Sequence, residues 1–91
     1  MNEIILDGCN MTSKSSAHKY IKKMMNFPDY YGENLDALWD LLSTYSETIS
    51  IYLINDDILN ENLGEYGKLL VGVFQEAAYE NDNIYFVKKQ S

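Results

Sequence analysis

The sequence predicts an α/β fold, a three-stranded parallel sheet with about four helices packed around it. Three observations point there. Short β-rich runs lie at Ile4–Leu6, Ile49–Ile54 and Ile84–Val87. The stretches between them carry helical periodicity, and strands separated by helices usually lie parallel, joined by right-handed crossovers. The length of 91 residues and the 46% apolar fraction suit one domain spanning 1–91, with a single core and no deep internal cavity.

Each element has its own local cause. Ile4-Ile5-Leu6 is closed by the turn residues Asp7 and Gly8. Thr12 and Ser13 can cap a helix with Ala17, Ile21, Met24 and Met25 on one stripe and His18, Lys19, Lys22 and Lys23 outside it. In that company His18 reads as a solvated surface residue. Pro28 breaks the pattern, and Asn34 can cap a second helix from Leu35 to about Leu42. Ile49 to Ile54 is apolar at nearly every position, which predicts burial on both faces. Asp56 or Asp57 starts a short helix ending near Gly64. A last helix from about Lys68 to Glu80 places Leu70, Val73, Phe74 and Ala77 on one face. Asn81-Asp82-Asn83 is a turn signal before the final strand.

Charge narrows the function. Fourteen acidic residues oppose seven lysines, no arginine is present, and the formal net charge is −7. Affinity for nucleic acid comes from Lys and Arg releasing counterions, so direct nucleic-acid binding is not expected. Such a surface suits a basic partner, or serves solubility alone. Cys9 is the only cysteine, which excludes an internal disulfide, and it reads as a small residue near a strand end. The N-terminal MNEIILDG shows no basic leader, and no segment approaches membrane-spanning length, so a soluble cytoplasmic protein without membrane contact is expected.

Site chemistry is sparse. The sequence has no GxGxxG and no GxxxxGK[ST] to cradle phosphate. Asp56 and Asp57 are adjacent rather than alternating as in a calcium loop, and one histidine with one cysteine does not make a zinc site. No serine stands in a G-x-S-x-G elbow that could partner His18. Neither catalytic residues nor a cofactor nor a metal is expected.

The informative segment is PDYYGENLDALWDLL, Pro28 to Leu42. Leu35, Leu38, Trp39 and Leu42 form an apolar stripe that should face the core. Asp36 and Asp40, four residues apart, sit one above the other on the opposite side. Asp36 falls in the first turn, where the helix dipole favours a negative charge. Asp40 gains little from the dipole, and like charges at this spacing cost about 0.2–0.5 kcal/mol. Tyr30 and Tyr31 precede the helix and Tyr45 follows it. Aromatics on loops flanking a charged helix face suit a protein interface. Tyr31 either meets a partner or buries its ring and exposes only its hydroxyl. Glu76 and Glu80 repeat the four-residue spacing on the last helix, off its apolar stripe. Periodicity does not tell whether they border Asp36 and Asp40.

PDYYGENLDALWD, together with VFQEAAYENDNI near the C-terminus, resembles the barstar family of intracellular ribonuclease inhibitors. The resemblance covers essentially the whole chain, and its first segment is long and contiguous. It implies a barstar-like three-stranded parallel sheet, and a partner that is a basic, secreted, guanyl-specific type of ribonuclease (barnase-like), bound 1:1. It implies that Tyr30 packs against the enzyme's catalytic histidine and Asp36 pairs with a basic residue at the groove rim. Asp40 would enter the phosphate pocket in place of the RNA phosphate. Gly32, Asn34 and Ser43 would add polar or backbone contacts, Tyr45 an aromatic edge and Glu76 a second acidic contact, with Glu80 peripheral. Ser43 and Tyr45 depart from the threonine and tryptophan of the family member compared. The alternatives are an acidic binding module of the same fold for another basic protein, or an enzyme using carboxylates with Mg²⁺.

Overall fold

The computed structural model describes residues 2–89. Strand β1 (Asn2–Asp7) leads through a 3₁₀ turn (Gly8–Asn10) to α1 (Lys14–Met25) and α2 (Leu35–Ser43). Strand β2 (Ile49–Ile54), α3 (Asp56–Leu63), α4 (Glu65–Glu80) and β3 (Ile84–Lys89) follow. The sheet has order β1-β2-β3, with both pairs parallel. It is the predicted three-stranded parallel sheet with four helices packed around it.

The caps explain where the helices begin and end. Ser13, not Thr12, is the N-cap of α1: its hydroxyl accepts from the Ser16 amide, and the Ser16 hydroxyl accepts from the Ser13 amide. The helix stops at Asn26 in the left-handed conformation, φ 56°. The last helix starts at Glu65, ahead of the predicted Lys68, because Gly64 alone divides α3 from α4. Gly64 has φ 59° and ψ −131°, a backbone geometry that side chains disfavour. Tyr66 therefore lies in the first turn of α4.

One sheet face is closed and the other is not. Leu6 on β1, Ile49, Ile51 and Leu53 on β2, and Ile84 on β3 are buried together. The register carries this row across the sheet, with Ile4 opposite Ile51 and Ile51 opposite Phe86. From α4, Phe74 stacks on Phe86 with ring centroids 5.3 Å apart. The apolar run of β2 predicted burial on both faces, and this is corrected. Ile5, Tyr85 and Val87 are exposed on the other side, where Tyr52 and Ile54 are only partly covered. With strands in sequential order, right-handed crossovers carry both helix pairs to the same face. Tyr52 is covered by polar neighbours instead, donating to Glu3 Oε2 at 3.0 Å beneath the Lys89 ammonium, 4.7 Å from its ring centroid.

The placement of His18 is also corrected. Its ring is 1% exposed, with Nδ1 2.6 Å from the Tyr31 hydroxyl and Nε2 2.7 Å from the Tyr66 hydroxyl. A buried imidazole is tolerated because both nitrogens find partners. Cys9 is exposed in the 3₁₀ turn after β1.

That 3₁₀ turn presses against the exit of β2. A Cβ on Gly8 would stand 2.1 Å from the Asn55 carbonyl oxygen and 3.0 Å from Leu59 Cβ. Nearby, the Asp7 carboxylate accepts from Asn55 Nδ2 and the Cys9 amide, both at 2.9 Å, and these bonds hold its pKa below the ordinary value. Replacing Gly8 by Ala is expected to destabilise the chain by about 1–3 kcal/mol, the usual cost of overpacking. Urea denaturation followed by Trp39 fluorescence checks this.

Candidate functional site

Between Lys23 and Lys68 the chain has no basic residue, and α2 lies in the middle of that stretch. Its inner face is fixed. Leu38 and Leu42 are 0% exposed, with Leu35 and Trp39 partly buried against the same core. Its outer face carries Asp36 and Asp40, both exposed. Among the described residues the ion pairs are Lys19–Glu33, Lys22–Asp29 and Lys88–Asp56, so neither aspartate of α2 has a lysine partner. Two carboxylates thus stand on a rigid support with no internal countercharge.

Both ends of α2 are held by side chains. Asn34 Oδ1 accepts from the Ala37 amide at 2.8 Å, while its Nδ2 donates to the Gly32 carbonyl at 3.2 Å. One residue therefore caps the helix and shapes the loop before it. At the other end, Thr44 and Ser43 donate to the Asp40 carbonyl at 2.7 and 3.3 Å. Asn81, read from sequence only as part of a turn, reaches back from the end of α4. Its Nδ2 donates to the Leu42 and Tyr45 carbonyls at 2.9 and 3.0 Å, and Asn83 Nδ2 adds a bond to the latter at 3.1 Å. Helix-end carbonyls need such partners, but residues nearly forty positions apart give no sign of it in sequence.

In the loop before α2, adjacent tyrosines take opposite fates. Tyr31 is 5% exposed, packed on Phe27 with ring centroids 4.9 Å apart and bound to His18. Its ring is buried, as one of the two alternatives had it, but its hydroxyl is turned inward to His18 rather than exposed, and desolvation pushes its pKa upward. Tyr30 is 80% exposed. Lys22 and Lys19 of α1 reach Asp29 and Glu33 at 3.7 Å, tying both ends of the loop to that helix. Gly32 is close to Ala37, to whose Cβ an added Cβ would come within 3.2 Å.

Helix α4 packs beside α2, and this answers what periodicity left open. Trp39 lines a cleft with Gln75, Glu76, Tyr79 and Glu80, so the two glutamates border the aspartate-bearing helix. Glu76 and Glu80 are exposed, and Tyr79 is 86% exposed. Tyr45 lies elsewhere, half-buried in a cleft with Ile4, Met24, Met25 and Glu47. Desolvation, aided by Glu47, raises its pKa. The structure thus brings Tyr30, Gly32, Asn34, Asp36 and Asp40 together on consecutive backbone, with Glu76 and Glu80 beside them. Ser43 sits half-buried at the foot of the helix. Among the described residues no group of three or more His, Cys, Asp or Glu could hold a metal ion. No helix among them is long and apolar enough to cross a membrane.

A family model described as "Barstar (barnase inhibitor)" matches residues 1–88. The chain belongs to the barstar family. It is also similar to a Bacillus subtilis (strain 168) protein described as "Putative ribonuclease inhibitor YrdF". The two are 40% identical over 81 residues, covering 88% of this chain and 89% of the relative. A barstar-family fold with an unpaired acidic helix face supports a general inhibitory role through protein contact. The same description makes this a family of inhibitors.

Replacing Asn81 by Ala removes a donor shared by the Leu42 and Tyr45 carbonyls and the acceptor of the Asn83 amide. The expected loss of stability is about 1–3 kcal/mol, measurable by urea denaturation.

Proposed function

We propose that this chain inhibits a basic ribonuclease of the secreted, guanyl-specific type by seating α2 and the loop before it in the enzyme's substrate cleft. The observation that carries the reading is the pair Asp36 and Asp40: exposed, free of lysine partners, and fixed from behind by fully buried Leu38 and Leu42. Family membership and the similarity to the Bacillus subtilis relative support it.

The chemistry follows from what a ribonuclease must do. Its cleft holds a phosphodiester anion, so it is lined with cations and partly desolvated. Asp40, midway along the helix, takes the place of the phosphate. Asp36, nearer the N-terminus, meets a cation at the rim. Tyr30 stands free to lie against the catalytic imidazole, while Gly32 and Asn34 bring backbone and amide groups close. Glu76 extends the acidic surface, with Glu80 at its edge. Because the helix is already ordered, little conformational entropy is lost on binding. The charge excess also steers encounter with a basic protein, so association slows as salt rises. The complex is 1:1, and the inhibitor acts in the cytoplasm, guarding the cell against the enzyme.

The test is an RNA-cleavage assay with barnase and a panel of small guanyl-specific ribonucleases. Inhibition should saturate near one equivalent. Asp40→Ala should weaken it by about 2–5 kcal/mol, since basic groups are left buried and unpaired. That range describes truncated charge pairs in general, with barnase and its inhibitor among the reference cases. An Asp40→Ala variant that inhibits as well as the parent would remove Asp40 from the phosphate pocket. Inhibition of no ribonuclease would move the same surface to a different basic protein.

A further inference from the structure

His18 is the only histidine in the chain, and the proposed contact surface does not include it. Its ring joins three separate pieces of structure: α1, which carries it, the loop before α2 through Tyr31, and the first turn of α4 through Tyr66. Hydrogen-bond accounting fixes who donates. A neutral imidazole has one N–H donor and one bare nitrogen acceptor, while each tyrosine hydroxyl donates once. The Tyr31 hydroxyl has His18 Nδ1 as its only hydrogen-bond partner among the described residues, and its side chain is buried. The bond to Tyr66 is only part-buried where that to Tyr31 is buried, so of the two hydroxyls that of Tyr66 is the one placed to give its proton to water. Every buried group is satisfied when Tyr31 donates to bare Nδ1 and the Nε2–H donates to Tyr66.

A proton added to Nδ1 destroys that arrangement. Nδ1 becomes a donor, the Tyr31 oxygen must accept, and the Tyr31 hydroxyl proton loses its acceptor inside the protein. The charged groups nearby do not repair this. Glu33, on the same loop, favours the imidazolium, yet its carboxylate is already 3.7 Å from the Lys19 ammonium. The Lys14 ammonium, 4.7 Å from the Tyr66 ring centroid, brings a like charge to the other end. Burial favours the neutral ring and outweighs Glu33, so the His18 pKa lies below its ordinary 6.5.

We propose that His18 and Tyr66 are positioning residues for the binding loop: the neutral imidazole holds Tyr31, and with it Tyr30, Gly32 and Asn34, in place, and protonation of His18 lets the loop go. The consequence for inhibition rests on the functional reading above. The sign follows from linkage. A histidine whose folded pKa is depressed contributes its stabilisation fully above the unfolded value near 6.5, and loses it as pH falls from there towards the folded value.

The test is NMR on the whole chain, following the His18 ring and the amide protection factors of residues 29–33 and of β2 from pH 7.5 to 5.0. As His18 titrates, loop protection should fall about tenfold or more while β2 keeps its protection. Equal loss in loop and sheet, or no loss in either, would overturn the proposal. Adding unlabelled barnase should lower the His18 pKa by about one unit, equivalent to about tenfold weaker binding by the protonated form. A pKa unmoved by bound barnase would overturn the link to inhibition. His18→Gln keeps a neutral donor and acceptor but does not titrate. Assayed against the same enzyme, it should lack the parent's extra loss of inhibition between pH 7.5 and 5.5, the enzyme's own titration cancelling in the ratio. Identical slopes would overturn the proposal. If neither barnase nor any other ribonuclease of the panel is bound at pH 7.5, the functional reading falls, while the free-chain protection factors still uphold or overturn this one.

Discussion

Leu38 and Leu42 bind α2 to the core, and the use of the other side of that helix depends on this contact. Exposed like charges on a helix are common and usually signify nothing beyond solvation. Here the helix that carries them cannot roll or lift without exposing two side chains that are now fully covered. Burying each such side chain is worth about 1.5–3 kcal/mol. That greatly exceeds the few tenths of a kcal/mol by which Asp36 and Asp40 repel one another. The core therefore imposes the acidic pair on the surface, and the pair stays unneutralised because no lysine is within reach. The side-chain bonds from Asn34 and Asn81 then fix both ends, so the carboxylates keep a constant position relative to Glu76 and Glu80 on α4.

The loop before α2 is built on the same division of labour. Tyr31 is spent on anchoring, and this frees its neighbour Tyr30 to stand out in solvent. Adjacent tyrosines in a turn can take opposite directions because the backbone reverses there, with the Tyr31 amide bonded to the Pro28 carbonyl at 3.0 Å. Anchor and proposed contact residue share one short segment, so anything that disturbs the anchor is felt at the exposed tyrosine beside it. The buried histidine under Tyr31 couples the loop to pH for that reason.

Much of this was legible in the sequence. The three strands, the order of elements and the apolar stripe of α2 follow from periodicity and caps, which are local. The proposed interface was singled out by the spacing of Asp36 and Asp40 and by the family resemblance of the surrounding segment. What stayed hidden depended on residues distant in sequence. His18 shares its face with lysines by residue type, yet it sits one position from buried Ala17, and its partners are 13 and 48 residues away. The role of Asn81 is likewise tertiary. The open sheet face was missed because β2 is apolar at both parities, and chain topology decides which of them the helices cover. The early start of α4 was missed because Gly67 in its first turn reads as a break, although that position packs against α3.

The most direct test of an α2-centred interface is an amide chemical-shift footprint of the isotope-labelled chain titrated with barnase. Perturbations should gather on residues 29–40 and on the Glu76–Glu80 face of α4, leaving the exposed sheet face of Ile5, Tyr85 and Val87 unmoved. A footprint centred on the sheet face, with α2 silent, would contradict it.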